Sequence, residues 1–175
     1  MEQQKILFSP VSDRDPCSTI TRNSTVYRDG ALLHIVRQYH PDKVYLFLTQ
    51  RFRNFENTDH RFTKLLKHLN PNIQIEMIDC PDTIQNVAEF DQFDTPFHEY
   101  LEQIHRENPD AQLLINISSG TPQMQSALYL LAATLNFPVK PIQVMSPQKD
   151  SNTTYQYNFD LEKDILAEDG TECRD

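Results

Sequence analysis

Short apolar runs separated by helix-patterned segments constrain this chain more than any other feature. Residues 5–9 (KILFS), 43–49 (KVYLFLT), 73–78, 112–117 (QLLINI) and 139–145 read as buried strands. Between them, residues 29–39 (DGALLHIVRQY), 58–69, 95–107 and 121–135 carry helical spacing. The first of these helices must stop before Pro41. The second puts Phe62, Leu65, Leu66 and Leu69 on one face, with Pro71 after its end. The third is expected to start with Thr95 as N-cap and Pro96 at the first helical position. Residues 153–159 (TTYQYNF) alternate and offer a C-terminal strand returning antiparallel after the turn PQKDSN. Strand–helix alternation of this kind predicts an α/β fold: an open, mainly parallel sheet with helices on both faces.

At 175 residues the chain is sized for one domain with a real core. Residues 1–159 are expected to form that domain, and 160–175 an acidic linker or truncated boundary. No apolar run approaches the ~20 residues that span a bilayer. The N-terminus, MEQQKILFSPV, lacks the charged-then-apolar layout of a signal peptide and enters a strand directly. A soluble, cytoplasmic protein with no membrane partner is expected. The net charge of −9 argues against a general nucleic-acid coat, DNA included. The charge is uneven: residues 1–70 carry 11 basic and 7 acidic side chains, whereas 71–159 carry 3 and 11. An anionic ligand should therefore meet the first third of the chain, or backbone donors. Cys17, Cys80 and Cys173 form no zinc or redox motif and read as free thiols in a reducing compartment.

Two connections leave the carboxyl ends of predicted strands, where open parallel sheets bind ligands. Residues 10–28 link the first strand to its helix, far longer than the ~2–6 residues usual for such a loop, and are read as a functional or disordered loop. Ser118-Ser119-Gly120-Thr121 joins the fourth strand to a helix opening Pro122-Gln123. Gly120 permits positive φ and close backbone approach. The helix start adds N–H groups with partial positive charge, and Ser118, Ser119 and Thr121 add hydroxyls. Together they form an anion cradle that needs no lysine. The plainer reading is that Thr121 is only an N-cap and Pro122 only a first-turn proline. The segment is neither a Walker A loop nor GxGxxG. The first loop adds Asp13, Arg14, Asp15, Arg22 and Arg28; Arg14 or Arg22 would fork onto a phosphate, or else both are solvated. Asp13-x-Asp15 lacks a nearby third carboxylate, so no metal is expected. His34, one turn past Gly30, faces either the pocket or the core.

The segments KILFSPVSDRDP, DGALLHIVRQYHPDKVYLFLT and LLINISSGTPQMQSALYLLAA resemble the N-terminal CARF domain (CRISPR-associated Rossmann fold) of the Csm-type ancillary ribonucleases of type III-A CRISPR systems. The resemblance covers about residues 1–159 and implies a Rossmann-like sheet. It implies a homodimer whose paired domains bind a cyclic oligoadenylate messenger made by the CRISPR effector complex, cyclic hexaadenylate first and cyclic tetra-adenylate second. It also implies a C-terminal HEPN endoribonuclease, metal-independent and switched on by the messenger. Members of the family often have glycine where Ser12 stands. The HEPN domain is expected beyond Asp175, since Arg28…His34, Arg53…His60 and Arg61…His68 match its Arg/His spacing only by chance.

On this reading one ring lies over the dimer axis and each protomer serves half of it. The expected ligand contacts are Ser9, Pro10, Val11, Ser12, Asp13, Arg14 and Arg22 from the first loop, and Gly30 and His34 at the start of the first helix. Thr49 and Gln50 follow the second predicted strand, and Asn116 and Ser118 through Gln123 complete the set. Ring cleavage by the ligand's own 2′-oxygen needs neither metal nor cofactor; Ser119, Thr121 and Gln123 are the candidates to stabilise charge on the phosphate. Three competing readings stay open: a pure binding and dimerisation module, a flavodoxin-like enzyme for a mononucleotide or sugar phosphate, and a DNA-binding regulator, which would need a basic winged helix.

Overall fold

The computed structural model describes residues 2–21, 25–144 and 154–155. Strands β1 (Lys5–Pro10), β4 (Lys43–Leu48), β5 (Gln74–Asp79), β6 (Gln112–Asn116) and β7 (Val139–Ile142) carry the apolar runs. They form one parallel sheet in the order β5-β4-β1-β6-β7. β1 lies at the centre, with Phe8 opposite Tyr45 of β4 and Ile115 of β6. The chain winds outward from β1 in one direction through β4 and β5, then returns to the other side through β6. The switch point therefore falls between β1 and β6.

Alternation along each strand splits the core into two layers. Leu7, Val44, Leu46 and Leu114 face helices α1 (Ala31–Tyr39) and α3 (Arg61–Leu69). Ile6, Phe8, Phe47 and Ile115 face α4 (Asp91–Glu107) and α5 (Pro122–Thr134). In the second layer Phe97 meets Phe47 edge-on at 4.9 Å and Phe8 at 5.6 Å, a geometry aromatic pairs prefer. Helices thus cover both faces, as the alternation predicted.

Four details differ from the sequence reading. The link over 10–28 contains a β-hairpin: β2 (Cys17–Thr21) pairs antiparallel with β3 (Thr25–Asp29). Its Thr, Ile, Val and Tyr content suits a pleated ribbon. The predicted C-terminal strand is antiparallel, but β8 (Thr154–Tyr155) pairs with β3 rather than with the main sheet; the rest of that segment, the linker 160–175, Arg22 and Cys173 lie outside the described residues. The helix expected over 58–69 is α3, starting at Arg61, and a further helix, α2 (Gln50–Asp59), precedes it, the two parted by His60 at φ 54°. Glu56 accepts the Phe62 N–H at 2.9 Å and also binds Thr63, while Asp59 accepts Arg61 Nε at 2.9 Å, so the corner carries its own buried caps. Finally, α4 begins at Asp91, and Pro96 lies inside it rather than at its start. Asp91 and Asp94 occupy that first turn, where the helix dipole favours carboxylates.

Candidate functional site

Ser9 and Asn116 end neighbouring strands at the switch point. The Asn116 amide holds the exit loop in shape. Its Nδ2 donates to Ser9 Oγ and to Ser119 Oγ, both at 2.9 Å. Its Oδ1 accepts the N–H of Ser118 at 2.8 Å and of Ser119 at 3.2 Å. Ser9, Asn116 and Ser119 are all fully buried. The chain then turns through Gly120 at φ 87°. Thr121 caps α5, its Oγ1 accepting the Met124 N–H at 3.2 Å and donating to the Val87 carbonyl at 3.0 Å. Pro122 fills N1, and the Gln123 N–H that follows has no intrahelical acceptor. Gln125 Nε2 fastens the bend from above, donating to the Ser118 and Gly120 carbonyls at 3.2 Å. Ser118 Oγ accepts the Val144 N–H at 2.6 Å and ties the bend to the chain after β7.

The first loop closes against the start of α1 through Asp15, which is buried. One carboxylate oxygen accepts the Ser12 N–H at 2.9 Å and the Ser12 hydroxyl at 3.1 Å. The other accepts the Leu32 N–H at 3.1 Å, in the first turn of α1. Burial pushes the Asp15 carboxyl above its ordinary 3.8, and the hydrogen bonds from Ser12 and Leu32 pull against that shift. A Cβ at Gly30 would come within 2.4 Å of both the Arg14 carbonyl and Asp15 Oδ1, so a side chain there would push this loop away. At the outer rim Arg51, in the first turn of α2, pairs with Asp13 at 2.6 Å. Its guanidinium lies 5.5 Å from the Phe52 ring and 5.6 Å from Phe55.

These positions sort the expected contacts into two groups. Ser12, Asp13, Arg14, His34, Thr49, Gln50, Ser118, Gly120, Thr121, Pro122 and Gln123 keep solvent-accessible surface. Ser9, Pro10, Val11, Gly30, Asn116 and Ser119 are buried. Val11 belongs to the core layer beneath α1. The side chains of Ser9, Val11, Asn116 and Ser119 face inward and build the loops, so any contact these residues make with a ligand falls to their backbone. Ser119 in particular is buried, and its Oγ accepts from Asn116 Nδ2 at 2.9 Å. Thr49 is the N-cap of α2 and Gln50 begins that helix, where a loop was expected. Arg51 and Gln125 went unremarked in the sequence. Arg51 sits next to Gln50, and reading α2 as a helix would have placed it on the rim. Arg53 Nε stands 3.3 Å from Asp79 and Arg61 is buried against Asp59, so these arginines are engaged within the domain. Among the described residues no group of three or more His, Cys, Asp or Glu is placed to hold a metal, and no helix is long and apolar enough to cross a membrane.

Replacing Thr121 with alanine should cost about 1 kcal/mol, the usual value of a lost cap, whereas Thr121→Ser should retain most of it. Equal thermal stability of Thr121→Ala and its parent would show that the Val87 and Met124 contacts do not hold the helix start.

A three-layer α/β domain with a glycine bend and a capped helix start at its switch point defines a Rossmann-like ligand-binding domain. The model of the Cas_Csm6 CARF domain matches residues 73–174. The CRISPR system endoribonuclease Csm6 of Enterococcus italicus is 42% identical over 160 residues, covering 87% of this chain and 35% of that protein. The Csm6 of Mycobacterium tuberculosis is 40% identical over 123 residues, covering 70% of this chain and 28% of that one. The solved structure of Enterococcus italicus Csm6 bound to cyclic hexa-2′-fluoro-hexa-dAMP superposes with a TM-score of 0.70 at 39% identity, covering 83% of this chain and 35% of its own. The chain belongs to the Csm6 CARF-domain family. It spans about a third of the length of the curated relatives it matches.

Proposed function

We propose that this domain senses a cyclic oligoadenylate and that two copies share one ring. The observation that carries the reading is the cyclic hexanucleotide analogue bound by a protein that contains a region of the same fold at 39% identity. The site chemistry supports it. The bend over 118–121 and the start of α5 offer backbone donors to phosphate. Arg14 and Arg51 supply cations on the opposite rim. The 2′-hydroxyls of RNA add polar contacts that DNA lacks. A twofold pair suits a ring with rotational symmetry. Tyr129 and Leu130 are exposed on α5, 63% and 46%, about 10 Å along the helix from its first residue. That apolar surface is a face for the second copy. In the whole protein, ring binding here would switch on an endoribonuclease outside the span of this chain, in type III CRISPR defence.

Slow cleavage of the ring is the finer part of the proposal. The 2′-oxygen attacks the adjacent phosphorus, a new O–P bond forms and the bond to the 5′-oxygen breaks. The 2′-hydroxyl proton leaves to water, and the 5′-oxygen takes one up. With the Ser119 and Thr121 hydroxyls committed within the protein, charge on the phosphate falls to the Gln123 N–H and side chain and to the Gly120 backbone. Titration calorimetry with cyclic hexaadenylate and cyclic tetra-adenylate tests the sensor. The expected result is one ring per two chains, with the hexamer bound more tightly. One ring per chain, or no binding of either, overturns it. Mass spectrometry after long incubation tests cleavage: native ring should open to a 2′,3′-cyclic phosphate, and a 2′-fluoro ring, lacking the attacking oxygen, should stay intact.

A further inference from the structure

Asp13 and Arg14 are the two central residues of a tight turn, closed by the Asp15 N–H donating to the Ser12 carbonyl at 2.9 Å. The buried Asp15 carboxylate braces that turn, accepting the Ser12 N–H and the Leu32 N–H, so the tip is held in one orientation. Strands β1 and β4 are neighbours, with Pro10 opposite Phe47, so this turn and the start of α2 emerge side by side at the carboxyl edge of the sheet. There Arg51 Nη1 meets Asp13 Oδ1 at 2.6 Å, although the two side chains are 62% and 66% exposed. The arginine has a second support. Its guanidinium lies 5.5 Å from the Phe52 ring and 5.6 Å from the Phe55 ring, and Arg61 lies over the Phe55 ring at 4.3 Å. Arg61 is itself fixed by the buried Asp59. Arg51 therefore keeps its place beside the rings when its carboxylate partner is taken away.

We infer that Asp13 is an internal stand-in for a ligand phosphate: it occupies Arg51 while the site is empty and yields it when a ring binds. The inference rests on the sensor reading for its ligand and adds a regulation of that same site. A carboxylate and a phosphate offer a guanidinium the same kind of acceptor, so one can replace the other. The exchange costs little, because an ion pair this exposed is weak and its released carboxylate stays in water. The buried Asp59–Arg61 pair behaves oppositely: separating it would strand a charge in the interior, so no ligand exchanges it. The device also selects among anions. A lone small anion meets an arginine already neutralised and has only that contact to gain. A ring held at the 118–121 bend as well makes the second contact within one complex, and so displaces Asp13.

In the full-length protein, Asp13→Asn should tighten cyclic hexaadenylate binding about threefold to fivefold, the scale of an exposed ion pair. Arg51→Ala should weaken binding, and adding Asp13→Asn to Arg51→Ala should change little, because no cation is left to release. Unchanged or weaker binding in Asp13→Asn overturns the inference. So does a gain that persists in full without Arg51, since that gain is plain charge repulsion between Asp13 and the ring. A second measurement needs no ring. Phenylglyoxal, which condenses with guanidinium groups, should modify Arg51 several-fold faster in Asp13→Asn than in the parent, as read by peptide mass spectrometry. Equal rates would show that Asp13 does not hold Arg51 and would overturn the inference. A parent protein that binds no ring refutes the sensor, while the modification rates still decide whether the carboxylate occupies the arginine.

Discussion

Asn116→Ala should be among the most damaging single changes outside the aromatic layer. The amide sits fully buried between β1 and β6 and serves Ser9, Ser118 and Ser119 at once. Ser9 still reaches the Pro10 carbonyl, so that hydroxyl keeps a partner. The N–H groups of Ser118 and Ser119 lose their acceptor in a site with little water. Leaving buried donors unpaired costs about 1–3 kcal/mol per group, and because Ser118 is only half-buried the total expected for the two is about 2–4 kcal/mol. For a domain of this size that lowers Tm by roughly 5–15 °C. The damage should be local first: amides at 118–121 exchange faster while the β1–β4 ladder stays protected. Ring affinity should fall by more than tenfold, because the bend no longer holds its donors in line. A Tm within about 2 °C of the parent would show that the bend is held by Gln125 and Ser118 instead.

Which parts of this architecture the sequence made legible follows from physics. Strands buried on both faces are continuous apolar runs, so KVYLFL announces β4 by composition alone. Such runs recurring between helical patterns imply the sheet and its two coats of helices. The α5 start was legible because Thr-Pro is a cap followed by a first-turn proline, and Gly120 because little else turns a chain between strand and helix. The hairpin was not legible. CSTIT and TVYRD have strand-like content, but they are short and polar, and they form a sheet separate from the main one. Helix α2 was hidden for a related reason: QRFRNFENTD buries only Glu56 and Asp59, so it shows no apolar stripe. The direction of a hydroxyl was beyond reach. Ser118, Ser119 and Thr121 look equivalent in sequence, yet one reaches the Val144 segment, one turns into the interior and one caps a helix. A lone asparagine closing the apolar run QLLIN was the available clue that a buried polar staple lay there. Asp15 read as half of a poor metal motif, because the helix start that it caps, at Leu32, is distant in sequence.

Gly120 gives the second large effect, and its two glycine sites fail by different routes when substituted. At Gly30 the backbone has φ −70°, which any residue adopts, so an alanine there fails by contact with the Arg14 carbonyl and the Asp15 carboxylate alone. At Gly120 both conditions apply. An L-residue at φ 87° is strained by about 1–2 kcal/mol. Its Cβ would also stand 2.9 Å from Met124 Sδ and 3.0 Å from Pro10 Cβ. The thioether can swing aside, but the Pro10 ring is fixed in the central strand, so the bend itself must move. Gly120→Ala should cost about 2–3 kcal/mol in all and, on the proposed function, weaken ring binding at least tenfold, since the displaced segment carries the N–H groups proposed to meet phosphate. Adding Met124→Ala removes one contact but neither the strain nor the Pro10 contact, so it should restore no more than a small part of the lost affinity. Full recovery in that double variant would show that crowding by the thioether, and not the backbone of the bend, sets the shape that the ligand meets.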